Sequence, residues 1–436
     1  MTATLETLDG LSRRMTLNLN PVEIEAEVSK RLNKIARNTR MDGFRPGKAP
    51  LKLVAARYSS EIRGEVLGEA LQQGFTLAVR ENNLNVAGYP QFAAVEGGIS
   101  EVAEGGAFTA TFDLFPEIKV GDVSAIKVTR PVVDVSDTDV DRTLDVLRKQ
   151  RVQYHAAERE AKEGDRVHID YVGSIAGEAF QGGEAKDFPV ILGEGRTLKD
   201  FEGSLVGMKA GESKTFDVTF PEDYFAKELA GKTATFTATL NAVHEAHLPE
   251  VDEALAQSLG IHEGGVARLR EEISGNLARE AKRRIQARVK EQVLNGLLET
   301  TPFDVPAGLV AMERRALREK AVTDLKARGM REQDIQLRDD VFEPQARRRV
   351  ALGLLMDELV RANGLTAPED QVQALVDEFA QSYEDPSEVV AWYHQDAARL
   401  NEARALVLEE NIVNWVLEHA QVADESVTLE KLMGNK

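Results

Sequence analysis

The period at which apolar residues recur switches repeatedly along this chain, and no single layered core accommodates every setting. Over residues 11–20, Met15, Leu17 and Leu19 alternate with Thr16 and Asn18, the period of a half-buried strand, which Pro21 ends. Ile24, Val28, Leu32 and Ile35 then recur at helical spacing, with Lys30, Lys34 and Arg37 on other faces. The segment MDGFRPGKAP, residues 41–50, holds two glycines and two prolines and is a loop. From Leu51 the helical period resumes through Val54, Tyr58, Ile62 and Val66, until Asn82-Asn83 and the Gly88-Tyr89-Pro90 turn. Residues 107–115, AFTATFDLF, alternate again. The first 115 residues therefore read as an α+β unit in which strands flank a helix–loop–helix.

Ile126, Val128 and Arg130-Pro131 suggest a short extended connector, and Ser136 with Asp139 three residues on reads as the cap of a helix through Val140, Leu144 and Leu147. Residues 164–243 change texture. Short alternating runs (Val167, Ile169, Tyr171; Phe216, Val218, Phe220; Thr233 to Leu240) stand between Gly-rich turns, as in a compact, mostly antiparallel β domain. After Pro249 nearly everything is helical: a long helix follows Gly264-Gly265 to about Thr300, Thr301-Pro302 break it, and Pro306 suits the start of the next. A length of 436 residues agrees with several domains.

The chain has no cysteine, which excludes disulfides, thiolate nucleophiles and thiolate metal sites. Its first ten residues have no basic or apolar signal region, and no run approaches 18 apolar residues, so a cytoplasmic protein with no membrane partner is expected. His244, Glu245 and His247 lie together without further ligands, and Gly193-Glu194-Gly195 lacks the third glycine of a nucleotide fingerprint. Neither a metal nor another cofactor is expected.

The formal charge is −19, which argues against a surface built throughout for nucleic acid. The charge is uneven, however. From Lys30 to Arg63, ten basic residues face only Asp42 and Glu61, a local +8 that is an electrostatic footprint for a polyanion. At its centre, Gly43-Phe44-Arg45-Pro46-Gly47-Lys48 combines stiffening prolines with an aromatic and two cations that can stack and neutralise phosphate. A nucleotide P-loop is excluded, because three residues rather than four separate the glycines and Ala49 follows the lysine. Composition alone leaves two readings open: a phosphate-contacting tip, or a helix-hairpin turn with solvated charges.

The string GFRPGKAP between two helices near the N-terminus resembles the ribosome-docking signature of bacterial trigger factors. The run from Gly164 to Val243 is similar to FKBP-type peptidyl-prolyl isomerases, through GDRVHIDYVGS, GEAF, DFPVILGEGRTLKDFEGSLVGMKAGE and FPEDYF in order. The resemblance implies that Gly43, Phe44, Arg45, Pro46, Gly47 and Lys48 contact large-subunit rRNA and exit-tunnel proteins. It also implies that Tyr171, Phe180, Phe188, Leu198, Phe201, Tyr224 and Phe236 wall a proline-binding hollow. Gln181 and Phe201 depart from the Asp and Trp of single-domain isomerases, which bears on macrolide inhibitors rather than on proline binding. Taken one at a time, each aromatic also fits the core of a small barrel.

The implied fold is multidomain α+β. It comprises a ribosome-binding α+β domain (1–112), a connector packing on the C-terminal body (113–149), an FKBP-type antiparallel β domain (150–246) and an all-α chaperone body with arms (247–436). The implied function is an ATP-independent chaperone at the ribosomal exit tunnel that binds unfolded nascent chains and isomerises X-Pro bonds, with a homodimer off the ribosome. Two rivals stand beside it: a stand-alone proline isomerase, and a non-catalytic scaffold whose other domains only deliver substrate.

Overall fold

Alternation in the first residues puts Met15, Leu17 and Leu19 inside, each less than a tenth exposed. The computed structural model describes residues 2–38, 44, 50–95, 107–224, 226–381, 383 and 385–434. In chain order, β1 (Thr2–Thr7) and β2 (Ser12–Asn18) lead into helices α1 (Pro21–Asn38) and α2 (Leu51–Glu81), followed by β3 (Val86–Ala94) and β4 (Ala107–Leu114). The strands form one antiparallel sheet ordered β1-β2-β4-β3. One core joins its inner face to the helices through Ile24, Val28 and Leu32 of α1, Val54, Ile62 and Phe75 of α2, and Phe108 and Phe112 of β4. Phe75 meets Phe112 edge-on at 5.0 Å.

The extended connector of the sequence is β5 (Lys127–Val132), and α3 (Asp137–Gln150) opens with a complete capping box between Ser136 and Asp139. The β domain follows as β6 (Gln153–Ala156), β7 (Arg166–Ile175), β8 (Glu178–Ile191), α4 (Lys199–Leu205), β9 (Ser213–Thr219) and β10 (Thr233–His247). Next come α5 (Glu253–Ser258), α6 (Gly265–Thr300), α7 (Ala307–Ala327), α8 (Glu343–Asn363), α9 (Glu369–Ala380), α10 (Pro386–His394) and α11 (Ala397–His419). The chain ends through β11 (Gln421–Ser426) and α12 (Leu429–Met433). The C-terminal body is helical as expected, with one addition. β11 pairs with β5, and all six of its residues are exposed, so it carries no apolar alternation by which a sequence reveals a strand.

Two compact units divide the chain, each built from distant segments: residues 1–130 with 287–425, and residues 131–286 with 426–436. In the first unit, Gln292 clamps the extended chain at Thr129, accepting from its N–H and donating to its C=O at 2.9 Å each. Gly121 N–H donates to the buried Thr301 hydroxyl at 2.9 Å. The helices at the C-terminal side close their own core around Val372, Val376, Ala403 and Val407. In the second unit, α3, α5 and the first half of α6 share Val140, Leu144, Ala256, Leu269 and Ile273, and α12 seats Leu429 and Leu432 against Ala281.

A carboxylate at the end of β4 ties the first unit together. Asp113 is only 7% exposed; it accepts from the Ser12 hydroxyl and, at 2.7 Å, from the backbone N–H of Gly308. Gly308 lies in the first turn of α7, where Pro306 occupies the cap position and offers no side-chain acceptor. The cap therefore arrives from 195 residues upstream and satisfies one of the donors that every helix start leaves open. Replacing Asp113→Ala removes this cap and strands the Ser12 hydroxyl. The expected cost is about 1–2 kcal/mol, read as a lower denaturant midpoint, with Asp113→Asn recovering part of it; an unshifted midpoint for the alanine variant contradicts the capping role.

Candidate functional site: an aromatic hollow in the β domain

β10 organises the β domain, pairing with β7, with β9 through its first half and with β6 through its last residues, while β8 extends the sheet beyond β7. Side-chain alternation sends Ala234, Phe236, Ala238 and Leu240 inward, and Val167 and Ile169 join them from β7. On the outer face, Thr215 and Thr237 pair hydroxyls across β9 and β10 at 2.9 Å, as do Thr219 and Thr233 at 3.0 Å. The faces are thus fixed in register, and the apolar one receives α4, where Phe201 and Leu205 are buried.

Phe236 stands opposite Gly173 of β7, with its ring against the glycine. A Cβ at that position would fall 2.4 Å from the ring, so only glycine lets the strands carry a phenylalanine there. From this seat Phe236 meets Phe201 at 5.2 Å, Tyr171 at 5.9 Å and Phe180 at 6.1 Å between ring centroids, all edge-to-face. Tyr171 also meets Phe188 at 5.8 Å and Phe201 at 5.6 Å. The rings cannot close the space between them, and a cavity of about 510 Å³ remains. That size is typical of small-ligand sites.

All seven residues expected at the hollow (Tyr171, Phe180, Phe188, Leu198, Phe201, Tyr224 and Phe236) line this one cavity. Phe201 and Phe236 are only 6% exposed, so they serve core and wall together, whereas Phe188 at 36% is open to solvent. Tyr171 donates its hydroxyl to Gly182 C=O at 3.4 Å, and burial, with the neighbouring Tyr224, pushes its phenol above the usual range. Gln181 also reaches the cavity.

Several lining residues were not singled out from the sequence: Phe220, Arg196, Thr197, Glu228 and Leu229. Phe220 was legible as a position in an alternating strand run and as the start of the FPEDYF string, not as a wall of the hollow. Its ring lies 4.8 Å from Tyr224 and 6.1 Å from Phe180. The other missed residue lies behind the wall. Glu202, 5% exposed, accepts at Oε2 from the N–H of Gly193 (2.9 Å) and Gly195 (3.3 Å), and at Oε1 from the N–H (3.0 Å) and hydroxyl (2.9 Å) of Thr197. Burial pushes its carboxyl up, and the hydrogen bonds from Thr197, Gly193 and Gly195 outweigh burial and hold it below the usual carboxylate range. Its sequence signal is a charge next to Phe201 on the buried side of a short helix.

Of the basic loop, Phe44 is described and is 39% exposed. Gly43, Arg45, Pro46, Gly47 and Lys48 lie outside the described residues. The cations on the flanking helices divide into two sets. Lys30 pairs with Glu27 at 2.8 Å, Arg31 with Glu27 and Glu69, and Arg63 with Glu25. Lys34, Arg37, Lys52 and Arg57, the ones nearest the loop in sequence, are exposed and make no ion pair with a described carboxylate. Among the described residues no group of His, Asp and Glu could hold a metal ion, and no helix is long and apolar enough to cross a membrane.

Comparison with known proteins agrees with this architecture. The family described as "Bacterial trigger factor protein (TF)" matches residues 1–147, and "Bacterial trigger factor protein (TF) C-terminus" matches residues 265–418. Between them, "FKBP-type peptidyl-prolyl cis-trans isomerase" matches residues 157–241. The trigger factor of Aromatoleum aromaticum is 49% identical over 439 residues, covering 100% of both chains. That of Azoarcus sp. is 49% identical over 425 residues, covering 98% of this chain and 97% of its own, and that of Herminiimonas arsenicoxydans 47% identical over 447 residues, covering 100% and 99%. With an FKBP-type isomerase domain between two segments of this kind, and with such identity over its full length, the chain belongs to the trigger factor family of chaperones.

Proposed function

We propose that this protein is an ATP-independent cytoplasmic chaperone that docks at the ribosomal exit tunnel through residues 1–112, receives nascent chains on the helical body (247–436), and isomerises X-Pro bonds in the hollow of residues 150–246, with 113–149 as connector. The observation that carries the isomerase assignment is the convergence of the seven aromatic and aliphatic residues on one cavity of about 510 Å³.

The chemistry asks little else of such a site. An amide C–N bond resists rotation by about 18–20 kcal/mol because its planar form is resonance-stabilised. No bond is made or broken during rotation, so no nucleophile, metal or nucleotide is needed. Twisting localises the nitrogen lone pair and diminishes the amide dipole. A hollow walled by Phe180, Phe188, Phe201 and Phe236 excludes the water that stabilises the dipolar planar form, and it holds the proline ring by apolar contact. Tyr171 and Tyr224 put hydroxyl-bearing rings at the same wall to orient the peptide carbonyls.

Phe188 tests this reading with little disturbance of the core, since its ring is partly solvent-exposed. Phe188→Ala and Phe201→Leu are each expected to slow isomerisation of a proline tetrapeptide by about tenfold or more in kcat/KM, and rates equal to wild type refute the assignment. A stand-alone isomerase is separated from a chaperone by deletion of residues 150–246. The ends left behind are already close, because Arg148 donates to Pro249 C=O at 2.8 Å and the core of Val140, Leu144, Leu269 and Ile273 is untouched. The deleted protein is expected to keep most of its protection of an aggregating client; complete loss favours the isomerase-only rival.

Docking is supported by the sorting of cations beside the GFRPGKAP loop. Ion-paired cations release few counterions on meeting phosphate, whereas Lys34, Arg37, Lys52 and Arg57 keep their full charge for it. Replacing these four by glutamine is expected to flatten the dependence of log K for ribosome binding on log salt by about three units. Lys30→Gln, which removes a cation already paired with Glu27, is expected to change it by less than about one. Equal slopes in co-sedimentation for the fourfold variant and wild type refute the docking surface.

A further inference from the structure

We propose that Glu202 is a positioning residue for proline isomerisation, a carboxylate knot that sets the 193–198 loop as one wall of the hollow. This inference rests on the reading of the hollow as the isomerase site.

The loop runs from the end of β8 to α4 and contributes Arg196, Thr197 and Leu198 to the cavity lining. It has no strand to pair with, so its backbone donors need another acceptor. Glu202 supplies one, taking the N–H groups of Gly193, Gly195 and Thr197 together with the Thr197 hydroxyl on its two oxygens. Gly193 and Gly195 have φ of +89° and +69°, a backbone conformation that turns their N–H groups toward one side and that other residues rarely adopt. Four donors converging on one carboxylate with 5% exposure form a fixed arrangement, not a solvated contact.

The geometry also links the two sides of the hollow. Glu202 follows Phe201 directly on α4, so the group that holds the loop is carried on the same turn of helix as the ring beneath the cavity. Leu198 is held by the first turn of α4 itself, its C=O accepting from the N–H of Phe201 and Glu202, so the buried carboxylate sets the placement of Arg196 and Thr197, the loop residues before it at the cavity. Glu202 touches no part of the cavity itself, and its action passes entirely through the loop.

An amide cannot replace the carboxylate. Each oxygen of Glu202 accepts two hydrogen bonds, so Glu202→Gln turns an N–H₂ group toward donors wherever it is placed. The wall it positions contacts a bound peptide in both the planar and twisted states, and loss of such uniform contact raises KM while sparing kcat. In the full-length protein, Glu202→Gln is expected to weaken binding of a proline tetrapeptide by about tenfold, with the exchange rate at saturation, followed by NMR, within about threefold of wild type. Thr197→Val, which removes only the hydroxyl, is expected to shift affinity in the same direction by less. The amide proton resonances of Gly193, Gly195 and Thr197 are expected to move upfield in Glu202→Gln as their acceptor is lost.

A merely structural role predicts something else. It predicts that any loss of core packing in the sheet weakens binding alike, whereas Val218→Ala, which cavitates the same core without lining the hollow, is expected to lower stability and leave affinity unchanged. If Glu202→Gln keeps peptide affinity within twofold of wild type, or if Val218→Ala reproduces its loss, the inference is overturned. Phe201→Leu in the same assay separates the two levels. Should it too leave isomerisation intact, the reading of the hollow fails; should it abolish isomerisation while Glu202→Gln does nothing, only the role of Glu202 falls.

Discussion

The contact of Phe236 with Gly173 is the constraint on which the β domain's function turns. Pleating forces Phe236 inward from β10, and the strands stand at ordinary pairing distance, so the ring must lie against its neighbour with no Cβ between them. With Phe236 held there, Phe201, Tyr171 and Phe180 meet it edge-to-face. Edge-to-face rings are favourable pairs, yet they leave a gap that flat stacking would fill. The cavity is therefore a consequence of aromatic packing on a sheet, and the residues that stabilise the domain also wall its hollow. A leucine-rich core of the same volume would have closed up.

Charge is arranged by the same economy. The +8 between Lys30 and Arg63 is a property of a window in sequence, and the carboxylates that answer it lie just outside that window. Glu25 and Glu27 precede it, Glu65 and Glu69 follow it, and the packing of α1 on α2 brings both sets beside Lys30, Arg31 and Arg63. Exposed pairs of this kind add little stability. Their effect is to neutralise the cations farther from the loop in sequence, while Lys34, Arg37, Lys52 and Arg57 meet no described carboxylate.

The features legible in the sequence were those encoded locally. The strand from Ser12, the helices at Pro21 and Leu51 and the capping box at Ser136 follow from spacing and side-chain chemistry within a few residues. The hollow was legible because its rings recur within one ordered set of strings. What escaped depends on partners far away in the chain. Asp113 looks like an ordinary strand-end carboxylate until α7 arrives beside it, and β11 is six exposed residues whose extended form is dictated by β5. Glu202 escaped for the opposite reason. Its partners are near, but a charge beside Phe201 reads as a solvent-facing residue unless the loop before it is known to fold back over the helix.

Long-range dependence also orders the assembly of the chain. The core of Met15, Ile24, Val54, Phe75 and Phe112 lies wholly within the first 112 residues, so the α+β part can form as soon as that length is made. The same holds for the β domain, whose core runs from Ala161 to Val243. The first compact unit is different, because residues 1–130 are completed by 287–425 and β5 waits for β11, nearly 300 residues later. Closing so long a loop is costly in entropy and slow, and it must follow, not precede, the local cores. Asp113, Thr129 and Arg130 stand where that closure ends, with Gly308, Gln292 and Asp424 as partners, the last held by Arg130 through two charged hydrogen bonds of 2.7 and 3.0 Å. The closure is apolar as well as polar, since Ile126 and Val128 are buried and Ile126 lies against Gly296 of α6, and the polar contacts give that joint its direction. Apolar burial alone is non-directional, whereas scattered carboxylates and amides remain solvated until their one complementary partner appears and so fix which surfaces meet.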